Sequence, residues 1–203
     1  MDFTDENHGD IEVNEAIRKY GEDKLFTYLD YESWDDDERY ELIDGIAYMM
    51  SAPSMEHQNI LGELFKQLAI FLTGKPCRVF VAPCSVCLFG KGDIEKTVVQ
   101  PDIFIVCNKS ILEKKRCNGA PDMIIEILSP STSKMDLFIK LNNYQKAGVR
   151  EYWIVDPDTK AVNVHILENG HFTITQYENG DTIAVTVLDG CKITLADVFQ
   201  PFP

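Results

Sequence analysis

The sequence lacks the features that would place it in several common classes. No apolar run approaches the roughly 20 residues needed to cross a bilayer, and the start, MDFTDENHGDIEVNEA, is acidic with no apolar core of a leader. The chain is therefore expected to be cytoplasmic, with no membrane partner. There is no glycine-rich phosphate loop and no GxSxG elbow, which removes the usual nucleotide-binding and serine-hydrolase readings. A CxxC at Cys84 and Cys87 has no second pair to complete a zinc site, and in a strand its two thiols would face opposite ways. The six cysteines are expected to be reduced thiols. Basic residues are also scarce: 19 Lys and Arg stand against 33 Asp and Glu, a net charge of −14. Taken globally, that balance argues against a nucleic-acid partner.

The distribution of charge changes the argument. Residues 1–45 hold 16 Asp/Glu and 4 Lys/Arg, whereas residues 46–203 hold 17 and 15. The acidity thus belongs to the N-terminal part of the chain, residues 1–45, of which residues 1–24 are an acidic arm, expected to be weakly ordered or helical, ahead of a single domain over 25–203. The basic run Lys109 to Arg116 reads as a solvated surface helix.

Two stretches carry the chemistry. Met123 to Leu128 is apolar except for Glu126, and Val98 to Val106 is apolar around Gln100-Pro101-Asp102. Both read as strands buried on both faces. A bare charge there would cost several kcal/mol, so each acid needs a partner, a proton or a metal. One acid on each of two neighbouring strands is a candidate site for Mg²⁺ or Mn²⁺. A cation would complete it. On the helix expected from Ser131 or Ser133 to Ala147, Leu137, Leu141, Tyr144 and Gly148 mark the packed stripe, and Lys140 lies beside it. Lys134 flanks the stripe one turn earlier. The competing reading of Lys140 is a surface pair with Asp136. Glu41 lies in a hairpin arm beside Asp44-Gly45, with its burial ambiguous. His57, in the first turn of a long helix capped by Ser54, reads as a polar contact rather than a ligand.

The remaining elements are a short helix over Thr27–Ser33, a helix over Met55–Thr73, a strand or bent pair over Val79–Phe89 and a strand over Val149–Val155. Three further strands over Ala161–Leu167, Phe172–Tyr177 and Ile183–Leu188 and a helix near Leu195–Phe199 follow. The order predicts an α/β (α+β) sandwich: a mixed sheet flanked by helices, with extra antiparallel strands at the C-terminus.

Several segments resemble a known family in its order: YELIDGIAYMMSAPSMEHQNILGEL, then VVQPDIFIV, then APDMIIEILSPSTSKMD and GVREYWIVDP. They are similar to the Uma family of restriction-endonuclease-like proteins, within the PD-(D/E)XK nuclease superfamily. The likeness runs from about Thr27 to Val164 and leaves out the acidic arm. It implies a restriction-endonuclease-like fold and a metal-dependent endonuclease acting on DNA, with the superfamily's acid pair on Asp102 and Glu126. The usual lysine would fall on Leu128; in similar proteins it has moved to the following helix, which matches Lys140. The family's early glutamate matches Glu41. Mg²⁺ or Mn²⁺ would be held by Asp102, Glu126 and the Ile127 carbonyl, and DNA and a second copy of the chain, as a homodimer, are the implied partners. A non-catalytic binding or regulatory protein that keeps the scaffold stands as the alternative, since fold does not fix function.

Overall fold

The structure, a computed structural model, describes residues 24–34, 38–129 and 135–201, with side chains of 135–137 excluded. Residues 1–23 of the acidic arm, the candidate caps Ser131 and Ser133, and Lys134 lie outside these residues.

A six-stranded mixed sheet organises the molecule. Its strands, in spatial order, are β11 (His171–Glu178), β10 (Ala161–Glu168), β9 (Glu151–Asp156), β8 (Met123–Ile127), β6 (Ile103–Val106) and β3 (Arg78–Val81). β8 and β9 run parallel; every other pair in this sheet is antiparallel. The two acid-bearing stretches are indeed neighbours, with Ile103 opposite Ile125. Every residue of β6 and β8 is buried, as expected for strands covered on both sides.

Two different layers supply that cover. Met123, Ile125 and Ile127 face a core built with helix α2 (Met55–Leu72), the small pair β12 (Thr182–Ala184) and β13 (Lys192–Thr194), and helix α4 (Leu195–Val198). α2 turns Ile60, Leu64, Leu68 and Leu72 inward, and Ser54 caps it by accepting the amide of His57. Ile124, Tyr152 and Ile154 face the opposite core. It is built from helix α3 (Leu141–Ala147) and a second, five-stranded sheet in the order β2 (Ile46–Met49), β1 (Tyr40–Ile43), β5 (Val98–Val99), β4 (Ser85–Cys87) and β7 (Arg116–Asn118). β1 and β2 form the hairpin expected at Asp44-Gly45, whose φ values of 52° and 87° suit its tight turn. The expected short helix is present as α1 (Tyr28–Glu32) with a capping box at Thr27. The sandwich predicted from sequence is the observed architecture.

Several boundaries differ from expectation. Val98–Val106 is two strands: β5 joins the five-stranded sheet and β6 the six-stranded one. The break falls at Gln100-Pro101-Asp102, because proline cannot donate to a ladder. Val79–Phe89 likewise splits into β3 and β4, in different sheets, around a cis Ala82–Pro83 bond. The basic run is not a helix but a 3₁₀ turn, Lys109–Ile111, followed by β7. The strand expected to run to Leu188 ends at Ala184, and Leu188 closes a turn onto Val185. Six free thiols are also not found: Cys77 and Cys107 form a disulfide. The antiparallel pair Arg78–Val106 brings the next residue on each strand opposite the other, with Cα atoms 4.0 Å apart. No helix among the described residues is long and apolar enough to cross a membrane.

Candidate active site

Glu126 projects from the middle of the sheet toward α3 and the second sheet. Its Oε1 accepts from Lys140 Nζ at 2.9 Å and from the Tyr144 hydroxyl at 2.7 Å. Lys140 ends a π-helical turn, Met135–Lys140, that leads directly into α3. One turn separates it from Tyr144, so both side chains reach the same carboxylate. The same ammonium lies 3.0 Å from Glu41 Oε2. Glu41 is held in turn by the Gln100 amide, which donates to its Oε1 at 2.6 Å. The reading of Lys140 as a surface pair with Asp136 therefore fails: the residue is 3% exposed and bridges two buried acids. Glu41, ambiguous from alternation, is 1% exposed. Burial, and then the charge of Glu126, drives the Tyr144 phenol well above its ordinary range, so it stays a donor.

Asp102 occupies the crossover between the sheets. Its Oδ2 accepts from the Ile127 amide at 2.8 Å and meets His57 Nε2 at 3.1 Å. With a side chain 18% exposed, it is the open member of the set; those of Glu41, Glu126 and Lys140 are 1–4% exposed.

Asp102 and Glu126 carry the hard oxygen donors that a divalent cation takes. Asp102 Oδ1 accepts no hydrogen bond from the described residues, and Glu126 projects from the neighbouring strand. The Ile127 carbonyl leaves the backbone on the same side as the amide that meets Asp102. Mg²⁺ asks for only one or two carboxylates beside water. Among the described residues, no three His, Cys, Asp or Glu side chains gather as a metal cluster.

All four residues singled out from sequence as catalytic fall around this one junction of the two sheets. Lys140 and Glu41 meet around Glu126, and Asp102 meets Ile127, the next residue along β8. Three contributors had no partner named from sequence: Tyr144, placed only on the packed stripe; Gln100; and His57, read as a polar contact, which it makes with Asp102. Tyr144 carried a signal, four residues after Lys140 on the packed stripe. The Gln100 contact is made by its backbone and had none. The His57 contact joins residues 45 apart in sequence, beyond the reach of periodicity.

The two sheets thus bring two acids, Glu41 and Glu126, and a buried lysine together between them. Residues 27–196 match the Uma2 family, described as "Putative restriction endonuclease", and the chain belongs to that family. It is 23% identical over 164 residues to an uncharacterised protein, slr1290, of Synechocystis sp., covering 76% of this chain and 81% of that one. The fold is similar, at a TM-score of 0.68 and 22% identity, to a crystal structure from Anabaena variabilis described as a "putative nuclease belonging to DUF820". That likeness covers 85% of this chain and 97% of the other.

Proposed function

We propose that this protein is a Mg²⁺- or Mn²⁺-dependent endonuclease that hydrolyses phosphodiester bonds in DNA. One observation carries the reading. Lys140, distant in sequence from the usual lysine position at Leu128, lies 2.9 Å from Glu126. A lysine acting beside Glu126 needs that proximity, and the helix after the strand supplies it although the usual spacing does not.

In this reading Asp102, Glu126 and the Ile127 carbonyl hold the cation. A bound divalent cation would acidify water and offset charge on the scissile phosphate. Lys140 orients or helps deprotonate the attacking water and balances charge on the phosphorane-like transition state. Glu41 fixes where the Lys140 ammonium points. Tyr144 holds Glu126 to one rotamer by donating to Oε1. Homodimerisation and a cytoplasmic location belong to the same proposal.

A second reading, a binding protein on a nuclease scaffold, draws on the same ammonium. Lys140 is held between two carboxylates, and the chain carries a net charge of −14. Supercoiled plasmid separates the two. Nicking that needs Mg²⁺ or Mn²⁺, stops with chelator and is lost in Asp102→Asn supports the enzyme. Metal binding with no nicking by the wild type supports the scaffold reading.

A further inference from the structure

His57 has no part in the mechanism above, yet it touches the acid at the mouth of the site. It sits in the first turn of α2, where its backbone amide donates to Ser54 Oγ at 3.1 Å. The cap fixes the backbone, and the ring is left with an 8% exposed side chain. From there Nε2 lies 3.1 Å from Asp102 Oδ2. An ionised carboxylate only accepts, so Nε2 carries the hydrogen in this contact.

The same oxygen also accepts from the Ile127 amide at 2.8 Å. Two donors converge on Oδ2, one from α2 and one from β8. Among the described residues, none donates to Oδ1. The pair therefore sorts the two oxygens of one carboxylate. Oδ2 is occupied by protein, and Oδ1 keeps its lone pairs on a side chain that is 18% exposed.

We infer that His57 is a positioning residue that locks Asp102 as a one-oxygen ligand, presenting Oδ1 to the divalent cation. The inference rests on the metal reading of Asp102 given above and goes beyond it, because that reading needs only the acid. It uses a hydrogen bond, not a change of charge on the ring. The Ile127 donor is a backbone amide that only proline would remove, at the cost of the buried strand, so His57 is the part of the lock open to mutation. Outer partners of this kind tune affinity by fixing ligand orientation.

The test is Mn²⁺ calorimetry on the full chain, with metal-free thermal melts run beside it. Four variants are compared with wild type: His57→Ala, His57→Gln, His57→Asn and Asp102→Asn. Glutamine places its amide nitrogen near the Nε2 position, whereas asparagine is one methylene too short. His57→Ala and His57→Asn should weaken Mn²⁺ binding by about 10- to 100-fold, the usual scale for losing such a partner. His57→Gln should stay within a few-fold of wild type. If His57→Ala does not fold, the contrast between glutamine and asparagine still decides. The inference is overturned if His57→Ala or His57→Asn binds Mn²⁺ like wild type, or if His57→Gln is as weak as His57→Asn. With Asp102→Asn dead to metal, that outcome removes only His57 from the account. If Asp102→Asn binds as tightly as wild type, the metal site itself is misplaced and both fall.

Discussion

Two buried glutamates sit on neighbouring strands of one sheet, on opposite faces, and they are served very differently. Glu126 on β8 is met by an ammonium and a phenol, with a second acid sharing the ammonium. Glu151 on β9, three positions back in register, is met by neutral donors. The Trp153 indole donates to its Oε1 at 2.8 Å and the Val187 amide to its Oε2 at 2.9 Å. Burial pushes the Glu151 carboxyl upward, and these donors oppose that shift. Glu151 thus ties the turn after β12 to the sheet. Its donors need nothing further, and no ammonium lies within ion-pair distance of it among the described residues. Burial of an acid is therefore not by itself a sign of chemistry. What separates the two faces is a buried ammonium shared with a second acid, and the partial exposure of Asp102 nearby.

The contrast can be broken most severely at Lys140. Lys140→Ala leaves Glu41 and Glu126 buried beside each other without their shared cation. Breaking a buried ion pair in this way costs about 3–5 kcal/mol, to be read by urea denaturation. Cleavage should fall by about 10²-fold or more, the scale for one positioned electrostatic or acid–base group. Stability near wild type with cleavage retained would remove Lys140 from the site.

Glu151→Ala should cost about 3 kcal/mol in the same assay, since it strands two buried donors at about 1–3 kcal/mol each. Mn²⁺ affinity should not change, because the residue lies on the other face. Tyr144→Phe keeps the packing against Tyr152, whose ring is 4.9 Å away, and loses one hydrogen bond to a charged acceptor. The expected loss is about 2 kcal/mol, and here metal affinity should shift as well, as Glu126 gains a rotamer.

The smallest effect concerns His165, which lies on the Glu126 face behind Tyr152 at a ring distance of 5.4 Å. Burial lowers its pKa below the ordinary 6.5. The folded state then binds fewer protons than the unfolded one, so this contribution to stability is whole above 6.5 and shrinks as pH falls toward the depressed value. Melting across that range should show a steeper acid-side decline in wild type than in His165→Gln.

Much of this was legible in the sequence, for identifiable reasons. The apolar run around Glu126 specified a doubly buried strand, and Asp44-Gly45 specified a hairpin. The stripe through Leu141 and Tyr144 put Lys140 at the edge of a packed face. The strand break at Pro101 was missed, because Val98-Val99 and Ile103 to Val106 have the same composition; only the tertiary fold sends them to different sheets. Pairing across long separations was also hidden. Nothing local in Glu41 says that it meets Lys140, and nothing in His57 says that it meets Asp102. Glu151 drew no notice, since Arg150-Glu151 reads as a polar strand start until the Trp153 and Val187 donors close over it.

The two glutamates give the most direct test of the account. Metal-dependent plasmid cleavage would be measured for wild type, Glu126→Gln and Glu151→Gln at equal folded concentration. The account predicts cleavage by wild type, its loss in Glu126→Gln and its retention in Glu151→Gln. Cleavage retained in Glu126→Gln, or lost equally in both variants, would contradict it.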